Sequence, residues 1–197
     1  MQALRRASWR IARYRLTRLP RPIRRYARKF SGEGTALPPR PQWQVIVLAW
    51  LGACIALATL GLLTVLCHAP FLIAPFGASV VLLFGHPDSP LTQPRNVVGG
   101  HLLGGVIGLS AGMLPSDLSY APPWLVMAFA VATTLALMKA TRTVHPPAGA
   151  TTIVCQHLAP DWWVLVAPVL AGSGVLVLLA AFYNNAIERR QYPRHWW

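Results

Sequence analysis

The sequence predicts an all-α polytopic membrane protein, because long runs without charged residues alternate with short polar segments. Residues 45–67 and 162–183 contain no Lys, Arg, Asp or Glu, and each run can cross a hydrocarbon layer of roughly 30 Å at about 1.5 Å per residue. Residues 97–114 are also free of charge, and residues 122–138 are apolar up to Lys139, whose stem can reach the interface. We therefore expect four long transmembrane helices.

Two shorter apolar stretches lie between the long helices and resemble each other. Residues 75–81 read Pro-Phe-Gly-Ala-Ser-Val-Val and residues 147–153 read Pro-Ala-Gly-Ala-Thr-Thr-Ile, so a Pro-x-Gly-Ala-[Ser/Thr] signature occurs twice. Proline favours the first turn of a helix, where its missing N–H is not needed. The matched placement predicts a duplication of three-helix units, about residues 44–114 and 122–187. The expected helices are residues 44–67, 75–85, 95–114, 122–141, 147–157 and 162–187.

The topology depends on whether the two short helices cross the membrane. If they do, the two units have opposite orientations, and the basic residues after residue 90 fall on the same side as the N-terminal tail, as the positive-inside rule requires. If they dip in and return, the protein has four spans, and Arg95 and Arg142 lie outside. Inverted repeats with broken helices recur in transporters, so we favour an inverted three-plus-three arrangement. Both termini are cytoplasmic in either case.

The formal net charge of +13 is concentrated at the N-terminus. Residues 1–41 are predicted to be a basic cytoplasmic tail and linker, in which arginines alternate with apolar residues as in an amphipathic helix on anionic lipid headgroups. A topogenic tail without a specific partner and an organellar transit peptide are the alternatives. Nucleic acid is not an expected partner, because no nucleic-acid-binding motif accompanies the charge. Residues 188–197 form a short basic C-terminal tail, after the transmembrane domain of residues 42–187.

Small residues predict which helix faces pack together, since membrane helices associate through close backbone approach. Two ladders stand out, in each of which every fourth residue is small. One consists of Gly100, Gly104, Gly108 and Gly112, and the other of Ala128, Ala132, Ala136 and Ala140.

The two short helices predict a site for a small anion. A helix that begins inside the membrane leaves its first N–H groups unpaired, and their partial positive charge attracts anions. Arg142 offers a cationic fork, and His145 offers a hydrogen bond or a titrating group for a cotransported proton; an interfacial charge and a packing role are the alternatives. The predicted substrate-binding residues are Gly77, Ala78, Ser79, Arg142, His145, Gly149, Ala150, Thr151 and Thr152.

The polar loop of residues 86–96 predicts a gate or an ordered cap. Asp88 and Arg95 could form an ion pair there, and Asn96 could cap the following helix. The predicted gating or structural polar residues are His86, Asp88, Arg95, Asn96 and His101.

No metal, cofactor or enzymatic activity is expected from this sequence. Its six histidines have no partners at metal-ligand spacing. A nucleophile elbow, a phosphate loop and a dinucleotide fingerprint are also missing.

The His145-Pro146-Pro147 triplet, within residues 141–152, resembles the signature of the HPP family of integral membrane proteins. Residues 76–79, 85–87 and 93–96, together with Gly100-His101, resemble the family's other characteristic stretch, and the resemblance covers about residues 42–187. Some plant and cyanobacterial members are associated with nitrite transport.

The resemblance therefore implies a transporter of a small inorganic anion, nitrite or a similar oxyanion. We expect it in the bacterial inner membrane, or in an organellar membrane if the chain is eukaryotic. Bundles this small often need a partner protomer to enclose a pathway, so a homo-oligomer is a possible assembly. The alternative function is a non-transporting scaffold or sensor that works through its basic tail.

Overall fold

The computed structural model describes residues 20–23, 25, 38–114, 121–158 and 161–196. Most of the predicted amphipathic helix in the tail lies outside these residues. The regular secondary structure of the described residues is helical, which confirms that the protein is all-α as predicted. The main helices are α1 (Trp43–Cys67), α2 (Ala74–Gly85), α3 (Pro94–Gly112), α4 (Pro123–Ala140), α5 (Pro147–His157) and α6 (Leu165–Ala186).

Three of the described helices, α1, α4 and α6, are long and apolar enough to cross a membrane. Helix α3 has 19 residues, but Arg95, Asn96 and His101 interrupt its apolar character. Helices α2 and α5 have 12 and 11 residues, so each is shorter than about 20 Å and cannot span the hydrocarbon layer alone. Helix α6 begins with π-helical turns at Leu165–Gly172 and continues as an α-helix.

Helix α2 returns along α1 and begins partway down it. The backbone N–H of Leu72 donates to Thr64 Oγ1 at 3.0 Å, so the chain folds back beside the last turns of α1. At the other end of α2, Phe84 lies so close to Gly52 that a Cβ there would be 2.7 Å from Phe84 Cε1. The two helices are therefore antiparallel, and the extended residues before α2 complete its path beside α1.

The glycine ladder of α3 packs along α5. A Cβ added at any of the four glycines would lie closer than 3.0 Å to an atom of the α5 region, so only glycine permits this separation. Because both residue numbers increase together along the contact, α3 and α5 run parallel. The facing residues are His145 and Ala148 for Gly100, Ala148 and Thr152 for Gly104, Thr152 and Cys155 for Gly108, and Gln156 for Gly112.

The alanine ladder of α4 does not pack as predicted. Its four alanines are exposed, and α4 instead buries Ala130, Thr134 and Met138. These two stripes are offset by two residues, about 200° around a helix, and so occupy opposite faces. Thr134 decides which face turns inward, because its hydroxyl is 2.9 Å from the Thr152 hydroxyl of α5.

Helix α6 packs along α2 as α5 packs along α3. Gly172 faces the ring of Phe76, and Asn184 Nδ2 donates to the Leu83 carbonyl at 3.2 Å. The residue numbers again increase together, so α2 and α6 are parallel. The Tyr183 hydroxyl donates to the Leu48 carbonyl of α1 at 2.8 Å and joins α6 to the first helix.

The basic segments after α2, α4 and α6 meet at one end of the bundle. Arg194 Nε donates to Asp88 Oδ1 at 2.9 Å, whereas Arg95 Nη2 donates to the Thr141 carbonyl at 2.7 Å; the predicted Asp88–Arg95 ion pair is therefore wrong. The C-terminal segment brings Arg194 to this loop, a contact that local sequence spacing could not reveal. Tyr192 anchors the segment by donating to the Thr92 carbonyl, and burial raises the pKa of Tyr192, so its hydroxyl stays protonated.

Replacing Gly104 or Gly108 with Ala should lower the free energy of unfolding by about 1–3 kcal/mol, because the added Cβ meets the backbone of α5. Thermal unfolding in detergent measures the loss. The matched control is Gly174→Ala in α6, where a Cβ meets nothing within 4 Å. Equal melting temperatures for all three variants would contradict the packing described.

Candidate functional site

A buried hydroxyl bridges two imidazoles at the centre of the bundle. Ser79 Oγ lies 2.8 Å from His101 Nε2 and 2.8 Å from His145 Nε2. His101 Nδ1 lies 2.7 Å from Thr151 Oγ1, and His145 Nδ1 lies 2.8 Å from the Leu91 carbonyl. We call Ser79, His101, His145 and Thr151 the histidine hub; all four residues are 0% exposed.

Each hub residue comes from a different element. Ser79 is on the second turn of α2, Thr151 is on the second turn of α5, and His101 projects from α3. His145 lies in the segment just before α5. A Cβ at Gly100 would be 2.8 Å from the His145 Cβ, so the missing side chain of this glycine makes room for the second imidazole.

Aromatic contacts fix the orientation of the two imidazole rings. The centroids of His101 and His145 are 4.9 Å apart with an interplanar angle of 66°. Phe76 of α2 meets the His101 ring edge-on at 5.0 Å. The hub is therefore bounded by an apolar ring as well as by its own hydrogen bonds.

The direction of each hydrogen bond follows from the Leu91 carbonyl, which can only accept. His145 therefore carries its hydrogen on Nδ1, and in the neutral ring its Nε2 accepts the Ser79 hydroxyl hydrogen. Ser79 has no second hydrogen, so His101 Nε2–H donates to Ser79, and His101 Nδ1 accepts from Thr151. The hub is thus a directed chain in which the two neutral imidazoles have opposite tautomers.

Thr152 lies next to the hub but belongs to a separate pair of hydroxyls. Its Oγ1 lies 2.9 Å from Thr134 Oγ1, and the two oxygens lie 3.2 Å and 3.0 Å from the Ala148 and Ala130 carbonyls, respectively. Since each hydroxyl has one hydrogen, one hydroxyl donates to the other, which donates to the carbonyl of its own helix. These bonds satisfy both hydroxyls at the α4–α5 contact.

The structure brings together some of the predicted substrate-binding residues and leaves others apart. Ser79, His145 and Thr151 meet in the hub, as does His101, which the sequence placed among the gating residues. Gly77 and Gly149 are half-buried, and Ala78 and Ala150 are exposed.

Arg142 lies outside the hub. It is exposed, with a positive φ of 57°. None of the described residues that hydrogen-bond within the hub is an Arg, Lys, Asp or Glu. The hub therefore has no fixed charge.

The polar loop supports the hub from one side. Asn96 does not cap α3, whose N-cap is Gln93; its Nδ2 instead donates to the Val144 carbonyl at 2.9 Å and holds the segment that carries His145. His86 and Asp88 are exposed. Sequence reasoning missed the Leu91 carbonyl, since a backbone acceptor has no residue signature, and it missed the buried Gln93, which the Gln-Pro-Arg-Asn motif could have indicated.

The sequence comparisons identify the family. The model for the transmembrane region of HPP proteins matches residues 38–193. The chain belongs to the HPP transmembrane family. All hub residues fall inside the matched region, so this HPP protein is a helical membrane protein whose site lies in the family domain.

Curated relatives occur in Dictyostelium discoideum, where two transmembrane proteins match this HPP protein. One is 37% identical over 182 residues, covering 87% of this chain and 57% of the relative. The other is 32% identical over 186 residues, covering 89% of this chain and 64% of the relative. The chain thus spans less than two thirds of the length of these relatives. No solved structure matches it.

Replacing Ser79 with Ala should lower the free energy of unfolding by about 1–3 kcal/mol for each imidazole nitrogen left without a partner. Thermal unfolding in detergent measures the change. Ser110→Ala is the matched control, since Ser110 is an exposed serine on α3. If Ser79→Ala unfolds at the wild-type temperature, the bridging hydrogen bonds do not stabilise the bundle.

Proposed function

We propose that this HPP protein transports a small inorganic anion, nitrite or a similar oxyanion, through a site centred on the histidine hub. One observation carries the proposal: two short helices begin inside the bundle, and their second turns present hydroxyls to the same buried imidazole. Burying polar and ionisable groups in an apolar helical bundle costs free energy, and such groups usually mark a functional site. Short helices that start at such a centre are a feature of transporter binding sites.

We further propose an inverted three-plus-three repeat in which the chain crosses the membrane six times. Long helices make four of the crossings, and the short helices α2 and α5 make the other two together with the non-helical segments that adjoin them. The equivalent residues Ser79 and Thr151 both bond to His101. Ala148 and Gly172 follow Phe76 and Gly100 by 72 residues, as Thr151 follows Ser79. The contact of Phe76 with Gly172 therefore corresponds to the contact of Ala148 with Gly100. The helix directions alternate along the chain, so that corresponding helices of the two units point opposite ways.

The chemistry of the site suits a small monovalent oxyanion. The partial positive charge at the first turns of α2 and α5, near Gly77–Ala78 and Gly149–Ala150, attracts an anion. The hub hydroxyls can donate to its oxygens, whereas the Gly149 N–H donates to the Pro146 carbonyl at 3.1 Å. None of the described acidic residues is buried beside the hub to repel it. Because His101 engages the hydroxyls of Ser79 and Thr151, anion binding takes over one of these hydrogen bonds.

The basic end of the bundle is proposed to face the cytoplasm. Arg95, Lys139, Arg142 and Arg194 belong to segments at the end where α1 begins, in agreement with the positive-inside rule. An exposed Arg142 at this end would attract anions to the site. The bacterial inner membrane is the proposed location, with an organellar membrane as the eukaryotic equivalent.

A second candidate is a non-transporting scaffold or sensor. It is favoured by the concentration of basic residues in residues 1–41, which suits binding to anionic lipid. In this case the transmembrane domain would only anchor the tail.

Purified protein in proteoliposomes should take up nitrite faster than protein-free vesicles in assays with a panel of anions. Arg142→Gln should reduce uptake at low ionic strength, with the deficit shrinking as salt screens the charge. Lys139→Gln, which removes an exposed charge at the same end, is the matched control. Uptake equal to that of protein-free vesicles for every anion would refute transport.

Deleting residues 1–36 separates the two candidate functions. A transporter whose site lies in residues 42–187 should keep its rate of anion uptake per correctly inserted molecule. Loss of uptake in a folded, inserted variant would show that the core alone does not transport.

A further inference from the structure

We infer that the histidine hub binds one proton and carries it together with each anion, so that the protein is a proton–anion symporter. This inference rests on the proposed function and adds the coupling ion. Its basis is the geometry of the four hydrogen bonds and the charges of the surrounding groups.

An anion that enters this bundle needs a positive partner. Moving an unpaired charge into an apolar interior is strongly unfavourable. Every described Arg and Lys lies outside the buried set, and among the buried side chains of the described residues only His101 and His145 can become cationic. A proton on one imidazole therefore supplies the missing charge, and it leaves again when the anion leaves.

The hub can accept this proton without moving a heavy atom. In the neutral chain, Thr151 donates to His101, His101 to Ser79, Ser79 to His145, and His145 to the Leu91 carbonyl. A proton that enters at Thr151 displaces that residue's own hydrogen onto His101 Nδ1. The Nε2 hydrogen of His101 passes to Ser79, and the Ser79 hydrogen passes to His145 Nε2.

The product is an imidazolium at His145, and every hydrogen bond of the hub is retained with the first three reversed. One proton has been gained, and each O–H or N–H bond that broke has been replaced. His101 Nδ1–H now donates to Thr151, so the Thr151 hydroxyl hydrogen is free to bind an anion. Proton uptake thus creates a positive charge at His145 and an anion donor at Thr151, the other end of the hub.

The geometry limits the hub to one proton. With two protons, both rings would be cationic at a centroid separation of 4.9 Å, and like charges at this distance repel strongly in a buried site. Ser79 would also have to turn its hydrogen to the Pro75 carbonyl, at the longer distance of 3.3 Å.

The other described charged or titratable groups on neighbouring elements are exposed, already bonded or unable to become cationic, so the proton binds at the hub. On α3, Arg95 is bound to the Thr141 carbonyl. Arg142 in the following segment and Lys139 on α4 are exposed, as are His86 in the polar loop and His157 at the far end of α5. Asp88 is paired with Arg194, and Glu188, which follows α6, is paired with Arg190. Cys155, one turn beyond Thr151, is buried but cannot become cationic, and Tyr183 of α6 is bonded to Leu48.

The test is nitrite binding to the purified full-length chain in detergent, measured by calorimetry between pH 6 and 9. If one proton binds with each anion, the Kd rises about tenfold per pH unit once the free hub is deprotonated. Repeating the titration in buffers of different ionisation enthalpy counts the protons directly, and the expected count approaches one. His101→Gln and His145→Gln should remove the pH dependence, whereas His157→Gln, which alters an exposed histidine, should keep it.

The outcomes separate the two proposals. Binding with no proton uptake and a pH-independent Kd overturns the symport inference and leaves anion transport standing. The absence of both binding and uptake of any anion in the panel overturns the proposed function, and the coupling with it. If the hub variants fail to fold, the proton count of the wild-type protein decides the question alone.

Discussion

The bridging of two imidazoles by the Ser79 hydroxyl is the interaction on which the arrangement of the bundle depends. Inside an apolar bundle, each polar group must find its partner within the protein. His101, His145 and Thr151 can meet this requirement only if α2, α3, α5 and the segment before α5 hold fixed positions. One small polar cluster therefore determines the relative placement of four elements, and its directed hydrogen bonds strengthen one another.

The packing around the hub holds its four residues within hydrogen-bonding distance of one another. The glycine ladder brings α3 and α5 close enough for His101 to reach Thr151, and Gly100 makes room for the imidazole of His145. The polar loop supplies the Leu91 carbonyl, and the C-terminal segment anchors this loop through Tyr192 and Arg194. Residues far apart in the chain thus act together to orient one hydrogen of one histidine.

Sequence reasoning predicted the helices and the packing of Gly100–Gly112, because apolar runs and regular small-residue spacing are local signals. It placed Ser79 and Thr151 near each other because they occupy matching positions in the two short helices, and it added His145 because this residue lies just before the second of them. It could not pair His101 with them, or Asp88 with Arg194, because those contacts join distant segments. The predicted packing of the alanine ladder of α4 was wrong, because small residues also occur on exposed helix faces. The inward face is instead the one that brings the Thr134 hydroxyl to the Thr152 hydroxyl.

The neutral hub holds its two imidazoles in opposite tautomers, and ¹⁵N NMR of histidine-labelled protein in detergent at neutral pH tests this arrangement most directly. Protonated and unprotonated ring nitrogens have well-separated shifts, and single His→Gln variants assign the signals. We expect hydrogen on Nδ1 of His145 and on Nε2 of His101. Hydrogen on Nε2 in both rings would contradict it, since Ser79 would then face two donors and the Leu91 carbonyl would have none.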